Sequence, residues 1–284
     1  MTIGSAGDSL ADKLFEYGAV AIHQVHHDEL SDYAPAAWGD ALCELAKSVG
    51  ATAVIAVGTD RGSEVMAHVA AVMELPLVAN CLEIDAADES WEMTRVRWGG
   101  SLHERARLTA PVKLVTIAPH STEAVPAPAT GTVSRFEPSL EGSAAMTRIV
   151  ERVTTEEGIT LATAPVVVSG GRGVGSAEGF ASLEELAALL GGAVGCSRVV
   201  TNNGWKNHKF QVGQTGTVIA PEAYIACGIS GAIQHWVGMM ASKNVIAINT
   251  DPDAPMVTKA DYAVIADLHE VVPAIVEEVK RRRG

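Results

Sequence analysis

Two short blocks of the chain concentrate groups able to grip a polar ligand: "QVGQTG" at 211–216 and "GISGAIQH" at 228–235. Their amides (Gln211, Gln214, Gln234) and hydroxyls (Thr215, Ser230) both donate and accept hydrogen bonds, and His235 adds an imidazole. Gly213, Gly228 and Gly231, with the small Val212 and Ala232 beside them, let backbone come close to whatever is bound. This inventory suits a dinucleotide whose redox-active ring needs donors around it. Hydrolysis fits less well, because no nucleophile elbow marks a Ser, His and Asp set.

A third block, "SGGRGVGS" at 169–176, places Gly171, Arg172 and Gly173 between a predicted strand and a predicted helix, where backbone N–H groups can meet phosphate. It is not G-x-G-x-x-G. Gly170 and Gly175 stand at Walker A spacing but are followed by Ser176 and Ala177, which disfavours an ATPase and leaves a pyrophosphate cradle open. The competing reading is a glycine-rich turn with Arg172 merely solvated. Arg198, after Ser197 in "GCSRVV", falls in a predicted strand where a long cation is costly unless it meets an anion or a π-face. A strand-edge surface arginine is the plainer alternative. His235, on the predicted helix "GAIQHWVGM", is either a satisfied core residue or a ligand contact. Asp267 either caps the last helix, with Glu270 three residues on, or touches a ribose. No metal is expected: His23, His26, His27 and Asp28 read as a polar loop, and Glu64 with His68 lacks the second histidine of a zinc protease.

These residues need a scaffold that brings distant segments to one rim. At 284 residues, 48% of them hydrophobic, the chain suits two globular domains. A net charge of -13 argues against non-specific binding to nucleic acid or insertion at an anionic membrane, since both reward a basic surface. No apolar run reaches the roughly eighteen residues of a spanning helix, and "MTIGSAGDSLADKL" is too polar for a signal peptide and too acidic for a transit peptide. Cys43, Cys81, Cys196 and Cys227 lie far apart without C-x-x-C and read as free thiols, so the expected location is the cytoplasm.

Apolar period alternates between helix-like and strand-like, which predicts α/β layers. Helices are expected at "SLADKLFEYG", "PAAWGDALCELAKSVG" and "RGSEVMAHVAAVMEL", and buried strands at "AVIAVG" and "VKLVTIA". A loop spans 119–131, a returning strand covers 146–154, and the boundary falls in "TEEGITLATAP", giving domains 1–160 and 161–284. The second domain restarts with the strand "VVVS" and the helix "GFASLEELAALL". Strands follow at "AVGCSRVV", "YIACGIS", "NVIAIN" and "YAVIA", and the chain ends in the helix "VVPAIVEEVKRRR". In an open α/β sheet a ligand sits beyond the carboxyl ends of the strands, and 169–175, Ser230 with Gly231, Asn249 and Asp267 all follow predicted strands. The loop at 201–216 is long enough to be shaped for binding.

In the order "VVVSGGRGVGS", "GCSRVV", "QVGQTG", "APEAYIACGISGAIQH", "VIAINTDPDAP" and "ADYAVIADLHEVVP", residues 164–280 resemble the FAD-binding domain of the electron transfer flavoprotein alpha subunit. The first domain resembles the family more loosely. The resemblance implies an N-terminal Rossmann-like domain, of the adenine-nucleotide-hydrolase kind, that contacts a beta subunit. It implies a C-terminal doubly wound parallel-sheet FAD-binding domain of the deoxyhypusine-synthase kind, in a heterodimer whose beta subunit binds AMP or a second FAD. It places Arg198 over the isoalloxazine ring, Thr215 at the flavin N5 and His235 near the pyrimidine-end carbonyl. Arg172, Ser197, Gln214, Ser230 and Gln234 would serve the pyrophosphate, ribityl chain or ring edge, and Asn249 and Asp267 the adenosine half. Gly171, Gly173, Gln211, Val212, Gly213, Gly228, Gly231, Ala232, Asp251 and Leu268 complete the implied cofactor set.

The implied activity is that of an electron carrier rather than an enzyme, with acyl-CoA dehydrogenases of fatty acid beta-oxidation and a quinone oxidoreductase as the family's usual partners. Reduction puts negative charge on the N1 side of a flavin, where Arg198 and His235 would stabilise it, while Thr215 tunes the N5 side. Two departures stand out: the family's first strand and helix are missing from the start, and the 201–213 loop carries Asn202, Lys206 and Lys209 in place of the commoner acidic, proline-bearing version. Two rivals remain. One is the alpha subunit of an NADH-dependent electron-bifurcating complex. The other is an NAD-dependent enzyme on a related fold, disfavoured because no catalytic lysine marks the rim.

Overall fold

The computed structural model describes residues 1–87, 89–140, 147, 149 and 159–283. The chain divides into two compact units, Met1–Arg97 with Leu102–Thr154, and Trp98–Ser101 with Thr155–Gly284. The strand expected over 146–154 lies outside the described residues, apart from Thr147 and Ile149, which are not in a strand.

In the first unit the elements run β1 (Thr2–Ile3), α1 (Ser5–Asp8), α2 (Ala11–Glu16), β2 (Ala21–Val25), α3 (Pro35–Ser48), β3 (Ala53–Val57), α4 (Asp60–Met73) and β4 (Leu77–Asp85). They continue with β5 (Trp91–Arg97), β6 (Leu102–Leu108), β7 (Lys113–Ile117) and β8 (Thr132–Phe136). A small parallel sheet has the order β1-β2-β8, and a mixed sheet the order β3-β7-β4-β5-β6. The predicted helices form where their periodicity places them. Pro35 opens α3, whose Ala37, Ala41 and Leu45 turn into one core cluster. α4 is capped by the Thr59 hydroxyl, which accepts from the Gly62 N–H at 3.1 Å. The antiparallel hairpin β5–β6 is absent from the expected elements. Met93 and Leu108 are buried at one end of it beside Trp91 and Ala106, but Arg95 reaches Glu104 at 3.1 Å and Arg107 reaches Glu92 at 2.5 Å across the strands, and these charges interrupt the apolar period that would have exposed it.

The second unit contains β9 (Val166–Gly170), α5 (Ala181–Leu189), β10 (Ala193–Cys196), α6 (Arg198–Asn202), β11 (Ala223–Cys227), α7 (Ile233–Trp236), β12 (Val245–Asn249), α8 (Pro255–Lys259), β13 (Tyr262–Ile265) and α9 (Leu268–Arg283). Its five strands are all parallel in the order β10-β9-β11-β12-β13. Successive residues point to opposite faces, and both faces are covered. Val168, Ile225, Cys227 and Ile248 meet Phe180, Leu183, Leu186, Val272 and Val276 from the α5 and α9 side. Val167, Tyr224, Ala226 and Ala247 meet Ile219, Met239 and Met256 on the other. Each fully buried large apolar side chain contributes about 1.5–3 kcal/mol, which makes this sheet a firm base for the loops at its ends.

Three predicted elements are shorter than expected. β10 stops at Cys196 because Ser197 turns extended backbone into α6, so Arg198 opens a helix and does not lie in a strand. β11 stops at Cys227 because Gly228 takes φ +63°, outside any strand conformation. The helix around "GAIQHWVGM" is one turn, Ile233–Trp236.

Candidate functional site

Counted from β9, the strand order of the second unit is 2-1-3-4-5, and its switch point lies between β9 and β11. A cleft of about 810 Å³ opens there, beyond the carboxyl ends of the strands. Every strand contributes: Arg172 and Gly173 follow β9, Ser197 and Arg198 follow β10, Gly228, Ser230, Gly231 and Ala232 follow β11, Asn249 and Asp251 close β12, and Asp267 and Leu268 follow β13. Gln211, Val212, Gly213, Gln214 and Thr215, with Gln234 and His235, form the remaining wall. The size falls within the roughly 300–1,000 Å³ of small-molecule and cofactor sites.

Of the implied cofactor set, Gly171 alone stays off this surface. It is buried, and its N–H donates to the Cys227 carbonyl at 2.9 Å, as the Gly173 N–H does to Gly228 at 3.1 Å. These two donors of the glycine block are therefore spent on the sheet and are not offered to a phosphate. The glycines have a packing reason: a Cβ on Gly171 would stand 2.3 Å from the Gly228 oxygen. Close approach of two loops at the switch point thus explains "SGGRGVGS" better than an amide cradle does. Gly231 is constrained twice over, by φ +83° and by the Met256 backbone nitrogen, which would stand 2.3 Å from any Cβ added there. Gly231→Ala is expected to cost at least about 1 kcal/mol from backbone strain alone, seen as a lower thermal midpoint, whereas Ala at the exposed, non-strained Ser230 should leave it unchanged.

Thr215 is positioned from beneath. Its hydroxyl oxygen accepts from the Gln211 Nε2 at 2.9 Å, and the Gln211 Oε1 in turn accepts from the Thr201 hydroxyl at 2.9 Å. Gln211 is 2% exposed, so its amide serves these neighbours first. The Ser197 hydroxyl, also on the cleft, is buried without a hydrogen-bond partner.

His235 is 7% exposed. Its Nε2 is hydrogen-bonded to the Tyr224 hydroxyl at 2.7 Å, while Nδ1 is buried with no partner. Burial pushes its pKa down to about 4, an effect that the nearby Val212 backbone offsets only in part and without forming a hydrogen bond to the ring. Burial likewise raises the Tyr224 phenol, which keeps its proton. The imidazole is therefore neutral at pH 7. It can act as a hydrogen-bonding group, and positive charge at the cleft falls to Arg172 and Arg198, both exposed and neither in an ion pair among the described residues.

Several polar residues of the rim have structural duties as well. Asn249 bridges loops, donating from Nδ2 to the Ile229 carbonyl at 3.1 Å and accepting from the Asp251 N–H at 3.2 Å. Asp267 caps α9 by accepting from the His269 N–H at 2.9 Å. His269, Thr250 and Ile229 also line the cleft and were not singled out in the sequence, where nothing distinguishes them from ordinary loop residues. The unusual lysines turn away from it: Lys206 pairs with Glu184 and lies over the rings of Phe180 and Phe210, and Lys209 lies over Phe210. Elsewhere, His26 bonds Asp8 and His23 bonds Ser134, and no metal-binding cluster occurs among the described residues. No helix among them is long and apolar enough to cross a membrane.

A doubly wound parallel sheet with a cation-bearing, amide-rich cleft at its switch point defines a nucleotide-cofactor protein of the α/β class. Residues 160–240 match the electron transfer flavoprotein FAD-binding domain, and residues 1–141 match the electron transfer flavoprotein domain. The chain is 35% identical over 283 residues to the electron transfer flavoprotein subunit alpha of Bacillus subtilis, covering 98% of this chain and 86% of that one. It is 36% identical over 291 residues to the corresponding subunit of Mycobacterium leprae, covering 100% and 89%. With the subunit of Thermoanaerobacterium thermosaccharolyticum the identity is 35% over 286 residues, covering 98% and 86%. The chain belongs to the electron transfer flavoprotein alpha-subunit family, and its second unit carries the family's FAD-binding domain.

Proposed function

We propose that this chain holds FAD in the switch-point cleft and, joined to a beta subunit, shuttles single electrons from dehydrogenases to a quinone oxidoreductase. Acyl-CoA dehydrogenases are the donors we expect. The observation that carries the reading is the pair of buried, partnerless polar atoms on cleft residues, Ser197 Oγ and His235 Nδ1. An unsatisfied buried polar group costs about 1–3 kcal/mol, and a polar cofactor in the cleft relieves that cost. The two unpaired arginines suit the same guest, whose pyrophosphate is anionic.

When bound, FAD supplies the redox chemistry through its isoalloxazine ring. The chain's residues divide the remaining work. Arg198 would place positive charge beside the ring, Arg172 would serve the pyrophosphate, Thr215 would offer its O–H to the ring, and neutral His235 would supply a hydrogen-bonding group to it. Ser197, Gln214, Ser230 and Gln234 serve the ribityl chain and ring edge, and Asn249 and Asp267 bound the adenosine half. The first unit meets the beta subunit, which carries AMP or a second FAD. Four free, buried cysteines agree with work in the cytoplasm.

Copurification with the beta subunit, followed by extraction of nucleotides and stepwise reduction, tests this. One FAD and one AMP per heterodimer, with a one-electron stage and no bleaching by NADH, supports the carrier. Two FADs with direct reduction by NADH would replace it with the electron-bifurcating assignment. NAD in place of flavin would replace both with an NAD-dependent enzyme.

A further inference from the structure

Gln211 does more than line the cleft. Its side-chain amide is held at both ends, by Thr201 in α6 and by Thr215 at the cleft, each at 2.9 Å. The Thr201 hydroxyl also lies 2.9 Å from the carbonyl of Arg198, so its single proton is shared between that carbonyl and the Gln211 oxygen, and the contacts join the turn that opens with that arginine. A carboxamide has distinct ends: the oxygen only accepts and the nitrogen only donates. With its oxygen facing the Thr201 O–H, Gln211 must present N–H to Thr215. Thr215 then uses a lone pair on Gln211 and has its own proton free for the cleft.

We infer that Thr201 and Gln211 form a positioning relay that fixes Thr215 as a hydrogen-bond donor toward the redox ring. The inference rests on FAD occupying this cleft. It has a directional consequence. The flavin N5 accepts a hydrogen bond when oxidised but carries hydrogen when fully reduced, so a hydroxyl locked as donor favours the oxidised cofactor. Neither relay residue transfers electrons or protons; both act through Thr215. Thr201 has no sequence signature of its own, because its role depends on the 211–215 segment folding back onto α6.

The test uses the complex with the beta subunit, loaded with FAD, in the wild type and in Thr201→Val, Thr201→Ser, Thr215→Val and the Thr201→Val/Thr215→Val double variant. The readouts are the FAD dissociation constant by fluorescence and the two-electron midpoint potential. Thr201 is half-buried and valine is its isostere, so the fold is retained, which the thermal midpoint checks. Loss of one aligned hydrogen bond corresponds to a roughly threefold to tenfold change in the ratio of oxidised to reduced flavin affinity. Thr201→Val is expected to raise the potential by that factor, or roughly 15–30 mV for two electrons. Thr201→Ser should restore the wild-type value, and the double variant should shift no further than Thr215→Val alone. An unchanged potential, additive shifts, or a lowered potential, which would mean that the amide faces the other way, overturns the relay. Wild-type complex that takes up no FAD overturns the cofactor reading itself, and that titration is read first.

Discussion

Replacing Arg198 with alanine is expected to lower the potential at which the bound flavin accepts its first electron by roughly 40–90 mV. The added electron makes the ring anionic, so a guanidinium beside it stabilises the product more than the reactant. Two unit charges about 4 Å apart interact by about 1 kcal/mol in water and about 4 kcal/mol at the effective dielectric near a protein surface. Arg198 is exposed on the cleft wall, so the lower half of that range applies. About 1–2 kcal/mol converts to this shift, since a one-electron couple moves 59 mV per tenfold. Arg198→Lys keeps the charge but loses the flat stacking surface, and should recover part of the difference. A spectroelectrochemical titration measures all three. An unchanged potential in Arg198→Ala would remove this residue from the redox role and leave it as a solvated rim cation.

Acidification from pH 7 to pH 5 is expected to destabilise the second unit by about 2 kcal/mol through His235 alone. The folded-state pKa of about 4 lies below the ordinary value of 6.5, so the unfolded chain binds a proton that the folded one refuses. Stability from this group is therefore complete above about pH 6.5 and falls as pH drops toward 4, by 1.36 kcal/mol for each unit of separation actually traversed. The chosen window avoids Glu278, whose bonds to Arg281 and Arg282 hold its pKa at about 2. Urea unfolding at the two pH values measures the slope, and His235→Gln should flatten it by about this amount. Equal slopes in the two proteins would show that the imidazole is not shielded as described.

The parallel sheet of the second unit was legible because its strands are short, apolar runs covered on both faces, and because the polar and glycine-rich residues after them obey the strand-end rule for ligands. Arg198 shows where that kind of reading fails. Apolar Val199 and Val200 extend the strand pattern past Cys196, yet the chain turns at Ser197 and puts Val200 into the core from a helix. Short apolar runs do not distinguish strand from helix. The glycines of 170–175 left two readings open, since a glycine needed for loop crossing and one needed for a phosphate look alike in sequence. The partners of the site residues were invisible altogether. Tyr224 reads as one more core residue of β11 and Thr201 as one more polar residue of a loop. Only the folded chain sets the first against His235 and the second against Gln211.

Everything proposed for the second unit depends on FAD lying in the cleft beyond β9 and β11. Hydrogen exchange of the heterodimer, stripped of flavin and then reloaded with FAD, tests it most directly. Uptake of one FAD by this chain is expected, with new protection concentrated at 211–216 and 228–235 and at the turn around Arg198. Flavin uptake with protection confined to other segments, or no uptake by a folded heterodimer, would contradict it.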